Sequence, residues 1–391
     1  NSLPRTGVLG SNEGRDILRQ RIRLTDEMSR LSAKLSVVDE HGKPRSYTMG
    51  VQEQSSPINA RLLERGEIDQ PGQTVKRSFP QVLCSTPVKI KERSSGRLEL
   101  ARFIGSDDNP LTARVMVNRI WQHMIGHGIV RSTEDFGVTG QFPSHPELLD
   151  YLAVRFIESG WSIKSLVKDI AMSRVYRMSS TFNQDYHEYD SDNALGWRAN
   201  PRRLDAEAIR DAMLSVSGEL DNERPRGSEV AKAGYTRVQG GSLDQSADQS
   251  GANQLDMEDA KFRSVYLPVV RDEEPRSLAV FDFADSNAII GTRESSSTAD
   301  QSLYMLNNRF VIGQTAALAQ RMTDESTKTR EQIERAFVLT YGRPPTSGER
   351  SAASTFVRDF GGTTSTGSRK HETLRALCQS LFASAEFRFI D

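Results

Sequence analysis

Apolar residues return at helical spacing from about Arg97 to Leu220 and again from Ser297 to Ala383, and this period limits the fold more than any other feature. Between Leu111 and Ile125, residues Val115, Val117, Ile120, Trp121 and Met124 fall broadly on one side, while Arg114, Asn118 and Gln122 step along another. Gly126 and Gly128 stop that helix. The string Pro143-Ser144-His145-Pro146-Glu147 reads as a helix start, with Ser144 as N-cap and Glu147 closing a capping box. Leu148, Leu149, Leu152, Phe156 and Ile157 form the buried face that follows. Further helices are expected over Ser162–Arg177, from Asp205 to Leu220, from Ser297 to about Met322, and over Arg330–Tyr341, Ser347–Phe360 and Lys370–Ala383. Thr346-Ser347-Gly348-Glu349 supplies a second capping box.

Strand signals are few by comparison. Arg263–Arg271 (RSVYLPVVR) is the best strand candidate, with Pro268 arguing for an edge, and Ala279–Phe283 is a second extended piece. Glu13–Leu35 has a narrow helical face, and residues 36–96 are broken by prolines into an irregular connector with short elements. Residues 221–262 are rich in Gly, Ser, Gln and Asp and carry no period, as expected of a mobile polar insertion. The fold class is therefore mainly α, multi-helical, with a few short strands and long irregular connections. The domain reading is 1–60 as the tail of a preceding domain and 61–391 as one helical domain with 221–262 inserted.

Composition excludes several functions. Lys plus Arg number 51 against 52 Asp plus Glu, so the net charge of −1 does not suit a general nucleic-acid binder. No apolar run approaches the length of a membrane span. Two cysteines, Cys84 and Cys378, make neither a disulfide framework nor a CxxCH haem attachment. The chain opens on Asn1 with no charged-then-apolar leader, as expected of a sequence that starts inside a longer or processed polypeptide. No phosphate-loop, dinucleotide or kinase motif occurs.

The candidate site residues fall in two stretches. Arg114, Asn118, Arg119 and His123 form a polar ridge beside Trp121, fit either to hold a sugar or polyanion or to make an Arg–carboxylate network with Glu134, Asp135 or Glu147. His123 and His127 are four apart but lack the intervening glutamate of a zincin motif, and Gly126 is expected to end the helix before the second imidazole. His145 sits beside a helix start and needs an orienting partner before it serves as a base. Asp282, Asp285 and Asn287 offer a fragment of a calcium loop or an Asx turn, the turn being the better fit. Arg293, Ser296 and Thr298 gather a guanidinium and hydroxyls at a helix N-terminus, where an anion could bind and where capping alone is the simpler account. No catalytic, metal or cofactor-binding set is assigned.

Several strings resemble one family. NPLTARVMVNRIWQHMIGHGIVRSTEDFG at 109–137 and PSHPELLDYLA at 143–153 are followed by RSVYLPVVR, FDFAD, TADQSLYMLNN with Phe310 and Val311, YGRPPTSGE and LCQSLFASAEFRFID. In that order they resemble the planctomycete-specific PSD domain over roughly residues 60–391, and the first sixty residues resemble the tail of a PSCyt domain. Ala299 and Arg309 stand where relatives often have proline. The resemblance implies an extracytoplasmic protein whose upstream part often carries haem c, with no cofactor in this chain. It implies a glycan or a sulfatase-like protein as partner, in keeping with polysaccharide use. Three functions follow as expectations: a non-catalytic accessory module docking a glycan or protein, a carbohydrate-active enzyme linked to the upstream haem, or a scaffold for the cytochrome.

Overall fold

The computed structural model describes residues 20–21, 23–25, 27–28, 31, 41, 51, 53–84, 88–225, 257–269, 274–361 and 367–390. The chain forms two compact units, Thr48–Arg202 and Arg203–Ile390 together with Asn1–Tyr47. Each has its own hydrophobic core. Among the described residues helices dominate and strands are confined to two small two-stranded sheets, so the mainly α expectation holds.

In the unit of Thr48–Arg202, β1 (Arg61–Leu63) and β2 (Pro71–Thr74) make an antiparallel hairpin. Four helices follow: α1 (Arg97–Ile104), α2 (Thr112–Ile125), α3 (Pro146–Glu158) and α4 (Ile163–Met172). Helix α2 packs on both α3 and α4. Its face of Ala113, Val117 and Ile120 meets Leu149, Leu152 and Phe156 of α3 and Leu166 and Ile170 of α4. Burying side chains of this size stabilises by about 1.5–3 kcal/mol each, which is what holds three short helices together. Gly126, at φ 106, ends α2 in the left-handed region where a side chain would be strained. A short helix, α5 (Gln184–Tyr189), lies in the irregular segment after α4 and is capped by Asn183, which accepts from Tyr186 N–H.

The unit of Arg203–Ile390 is built on α6 (Ala206–Ser217), α9 (Arg309–Glu325) and α12 (Gly367–Ala383), with α9 packed between the other two. Around these lie α7 (Arg276–Ala279), α8 (Ala299–Asn307), α10 (Thr329–Tyr341), α11 (Ser347–Gly361) and α13 (Ala385–Arg388). Val311, Leu318, Ala319 and Met322 of α9 are fully buried among Ile209, Met213 and Leu214 of α6 and Cys378 and Phe382 of α12. Strand β3 (Arg202–Arg203) pairs with β4 (Phe389–Ile390), and Leu204 N–H donates to Arg388 O at 2.7 Å.

Several expectations need correction. Ser144 does not cap α3: the helix starts at Pro146, and no side chain caps it. The Ser144 hydroxyl and N–H both donate instead to Ile129 O, which removes Ser144 from the helix end. The helix expected from Ser297 to Met322 is two helices, because Asn308 breaks the run and its Oδ1 caps α9 by accepting from Phe310 N–H. Ser162 does cap α4, but the helix stops at Met172 and a 3₁₀ turn at Val175–Arg177 follows. The strand expected at Arg263–Arg271 is a 3₁₀ turn at Ser264–Tyr266 in its described part, fixed by Asp211 accepting from Ser264 N–H and hydroxyl. Ala279–Phe283 is the end of α7 and a turn, with Phe281 buried. Within the Glu13–Leu35 helix, the described residues between 20 and 31 are helical and exposed. Most of the expected polar insertion, 226–256, lies outside the described residues.

Candidate functional site

Two side chains of the polar ridge of α2, Asn118 and Arg114, hold the unit of Thr48–Arg202 together. Asn118 is fully buried, and its amide grips the backbone of Val130 on both sides: Oδ1 accepts the N–H at 2.8 Å and Nδ2 donates to the C=O at 2.9 Å. Gly128 makes that grip possible, since a Cβ there would collide with the Asn118 amide and Val130 O. Arg114 pairs with Asp150 of α3 at 2.7 Å and donates to Pro110 O, so its carboxylate partner is Asp150 rather than Glu134, Asp135 or Glu147. Trp121 is half-buried against the unit's core. Arg119 and His123 are exposed, and His123 contributes its backbone carbonyl to Arg202.

The two other histidines of interest stand apart in character. His145 is half-buried, with Nδ1 3.0 Å from the Ser144 hydroxyl, and among the described residues no carboxylate hydrogen-bonds its ring. His127 is half-buried with both ring nitrogens shut off from solvent and unbonded. Burial, seconded by the Arg131 charge, holds its pKa below the ordinary imidazole value. Asp135 is engaged locally, accepting from Thr139 hydroxyl and Gly137 N–H at 2.7 Å each, and these bonds keep its carboxyl low.

In the other unit, the residues of the expected anion set are engaged within the protein, Arg293 in an ion pair and Ser296 and Thr298 in hydrogen bonds. Both Nη groups of Arg293 donate to the two oxygens of Glu207 on α6, and the guanidinium lies over the Phe283 ring at 5.4 Å. Burial pushes the Glu207 carboxyl up, and the Arg293 bonds outweigh it, so it stays below the ordinary carboxylate range. Ser296 is held by Asp282, which accepts its N–H and its hydroxyl at 2.8 Å, takes Arg203 Nη2 at 2.7 Å and receives the Gln301 amide at 3.4 Å. Asp282 sits at φ 57, a left-handed position that Asp tolerates better than bulkier residues. Burial would raise its carboxyl, but the Ser296 and Arg203 donors keep it low. Thr298 caps α8 by accepting from Gln301 N–H. Asp285 accepts Asn287 N–H at 2.8 Å, an Asx turn as the sequence predicts.

A third group was not singled out by sequence. Phe182, Tyr186, Trp197 and Arg198 converge in the unit of Thr48–Arg202. Trp197 lies 5.8 Å from Tyr186 and 6.2 Å from Phe182, ring to ring, and the Arg198 guanidinium stands 4.9 Å over Trp197 and 5.4 Å over Phe182. Phe182 and Tyr186 are about half exposed, at 52% and 57%. The loop carrying Trp197 is braced throughout. Asp190 accepts the N–H groups of Ala194 and Leu195 at 2.8 Å, and its carbonyl takes the indole N–H at 2.9 Å. Buried Asn193, at φ 50, ties Arg198 O to Asn200, and Ala199 N–H reaches Ser179 O. The only signal in the sequence was the density of aromatic residues from Tyr176 to Trp197, which has no period and joins only through the fold.

The two kinds of site differ in what they leave available. The Asp282 and Glu207 clusters consume their own charges. The Trp197 platform presents flat apolar faces and a cation on a fixed frame, a combination suited to stacking on a planar or pyranose surface. Among the described residues, no three or more His, Cys, Asp and Glu side chains gather as a metal set, and no helix is long and apolar enough to cross a membrane. A family model described as PSD1, a protein of unknown function (DUF1553), matches residues 96–357. No curated protein and no solved structure matches the chain.

Proposed function

This chain belongs to the PSD1 (DUF1553) family, and on that premise we propose that it is a non-catalytic binding module that docks a glycan on the Phe182–Tyr186–Trp197–Arg198 platform. The observation that supports the reading is the platform itself: half-exposed Phe182 and Tyr186 beside Trp197, which sits on a loop whose backbone is pinned by Asp190 and Asn193. Pre-organisation of this kind lowers the entropy lost on binding, because the rings need not be ordered by the ligand. Aromatic side chains also dominate binding energetics where they are fixed and partly exposed. Trp121, the stacking face expected from sequence, packs on its unit's core, so the platform takes over that role in the proposal.

The same proposal carries the setting that the family resemblance implies: an extracytoplasmic polypeptide from a planctomycete-like bacterium, with haem c and a PSCyt domain upstream. Glycan-array binding by the whole chain tests the central claim. Tyr186→Ala and Phe182→Ala, each checked for an unchanged circular dichroism spectrum, are expected to weaken a bound glycan by about tenfold each. Binding unchanged in both variants overturns the platform, and binding to no polysaccharide by an intact chain overturns the glycan reading. Haem staining and mass determination of the native full-length protein test the upstream context.

A further inference from the structure

We propose that the glycan bound on this platform is anionic, carrying a carboxylate or sulfate ester that pairs with Arg198; this rests on the glycan reading above. Arg198 is half-buried and stacked against two rings, yet among the described residues it makes no ion pair. Its polar contacts are weak or local: Nη1 donates to Ser180 O at 3.5 Å, the backbone N–H donates to Asn193 Oδ1, and the C=O accepts from Asn193 Nδ2. Several other half-buried or buried arginines have firmer partners, although half-buried Arg388 also makes no ion pair among the described residues and donates only to Ser384 O at 3.4 Å. Arg293 and Arg203 have carboxylates at hydrogen-bond distance, and Arg210, fully buried, has backbone carbonyls at Glu258, Ala260 and Phe262 together with the Ser264 hydroxyl. A guanidinium taken part-way out of water without a counter-ion costs free energy that an incoming oxyanion would recover.

The acids nearby are poorly placed to supply that counter-ion. Both oxygens of Asp190 are occupied by the N–H groups of Ala194 and Leu195, and Glu188 accepts from the Gln184 amide at 3.1 Å. Asp185 and Asp192 are exposed and make no bond to Arg198. Arg174 and Arg177 are exposed just upstream, and Arg177 donates only to Ser173 O. The Arg198 guanidinium lies over both rings, and the planar fork of donors on a guanidinium is how arginine selects carboxylates and sulfates over neutral hydroxyls.

The test compares a neutral β-glucan, a polyuronate and a sulfated galactan of similar length against the whole chain, with Arg198→Gln and Arg198→Lys. The wild type is expected to bind one or both anionic glycans about tenfold more tightly than the neutral one, the worth of a charge-assisted hydrogen bond. Arg198→Gln is expected to bring the three within about twofold, while Arg198→Lys keeps part of the preference. The polyuronate and sulfated arms separate carboxylate from sulfate recognition. Equal binding of the neutral glycan by the wild type, or an unchanged preference in Arg198→Gln with a native spectrum, overturns the inference and leaves the glycan reading standing. Loss of all glycan binding in the wild type overturns that reading instead.

Discussion

At the scale of single residues, the most consequential side chains are polar ones buried with every bond satisfied. Asn118 substitutes for a backbone partner, completing Val130 in a position where water has no access. Asn118→Ala leaves the Val130 N–H and C=O unpaired, at a cost of about 1–3 kcal/mol for each buried group. Urea unfolding should show the loss as a lower midpoint with an unchanged slope, and Gly128→Ala should reproduce it because its Cβ displaces the same amide. Arg343 illustrates a different balance. It forks between Glu349 and Glu386, with the Tyr341 ring beneath it, and the Glu349 bonds, joined by Thr346 N–H, pull the Glu349 carboxyl down to about 2. A carboxyl held lower in the folded chain than in the unfolded one contributes stability above its ordinary value of 4.5, and that contribution is lost as pH falls through about 2. The side chain is 32% exposed, so solvent screens the pair and the effect is modest. Glu349→Gln is therefore expected to lower the unfolding midpoint at neutral pH and to leave it unchanged near pH 2. A deficit that persists undiminished into acid would assign the effect to packing instead.

At the scale of elements, the described residues that flank 226–256 on either side are tied to each other and to α6. Asp221 bridges Phe262 and its N–H donates to Lys261 O, Lys261 pairs with Glu219 at 2.7 Å, and Arg210 draws in the carbonyls of Glu258, Ala260 and Phe262. Because the two ends are already fixed near each other, replacing residues 226–256 with a Gly-Ser linker of about half that length is expected to change unfolding free energy by less than about 1 kcal/mol, since each halving of loop length alters closure entropy by only roughly 0.6 kcal/mol. Collapse of the fold on excision would show that those residues are packed. Sequence made some of these elements plain and hid others, for local reasons. The Thr346–Glu349 capping box forms reciprocally, with Thr346 N–H donating to the carboxylate at 2.7 Å and Glu349 N–H to the hydroxyl at 3.3 Å. Ser144-x-x-Glu147 has the same spelling and no such bonds, because Ile129 O, fifteen positions earlier, captures the serine. Asn308 reads as helix interior because one polar residue scarcely disturbs an apolar period, although its own amide starts the next helix. The Arg263–Arg271 run has strand composition, but Asp211 on α6 draws Ser264 into a 3₁₀ turn, a tertiary override of β propensity. In the candidate sites the same division holds: the Asp285 turn was legible because its bond spans two residues, and the Trp197 platform was not because its members join only after Asn193 and Asp190 shape the loop.

For the whole molecule, the decisive fact is that hydrophobic closure happens twice. Among the described residues, the buried members of one core run from Ala113 to Ile170, and those of the other from Ala206 to Phe387. Each core is built from side chains of its own unit, and each is therefore expected to unfold as a cooperative unit of its own. Leu318 sits fully buried on α9, the helix that packs on both α6 and α12. Leu318→Ala is expected to cost about 2–5 kcal/mol through lost burial and the cavity left behind. Native-state hydrogen exchange places that loss: amides of α6, α9 and α12 should exchange faster in the variant, while those of α2, α3 and α4 keep their wild-type protection. Phe156→Ala should give the mirror result, loosening α2, α3 and α4 alone, because Phe156 belongs wholly to the smaller core. A uniform rise across all six helices in either variant would mean that the two cores unfold as one. The distinction bears on function, since the proposed platform belongs to the smaller unit. If the cores are independent, Leu318→Ala leaves glycan affinity at its wild-type value while lowering global stability, whereas Phe156→Ala weakens both.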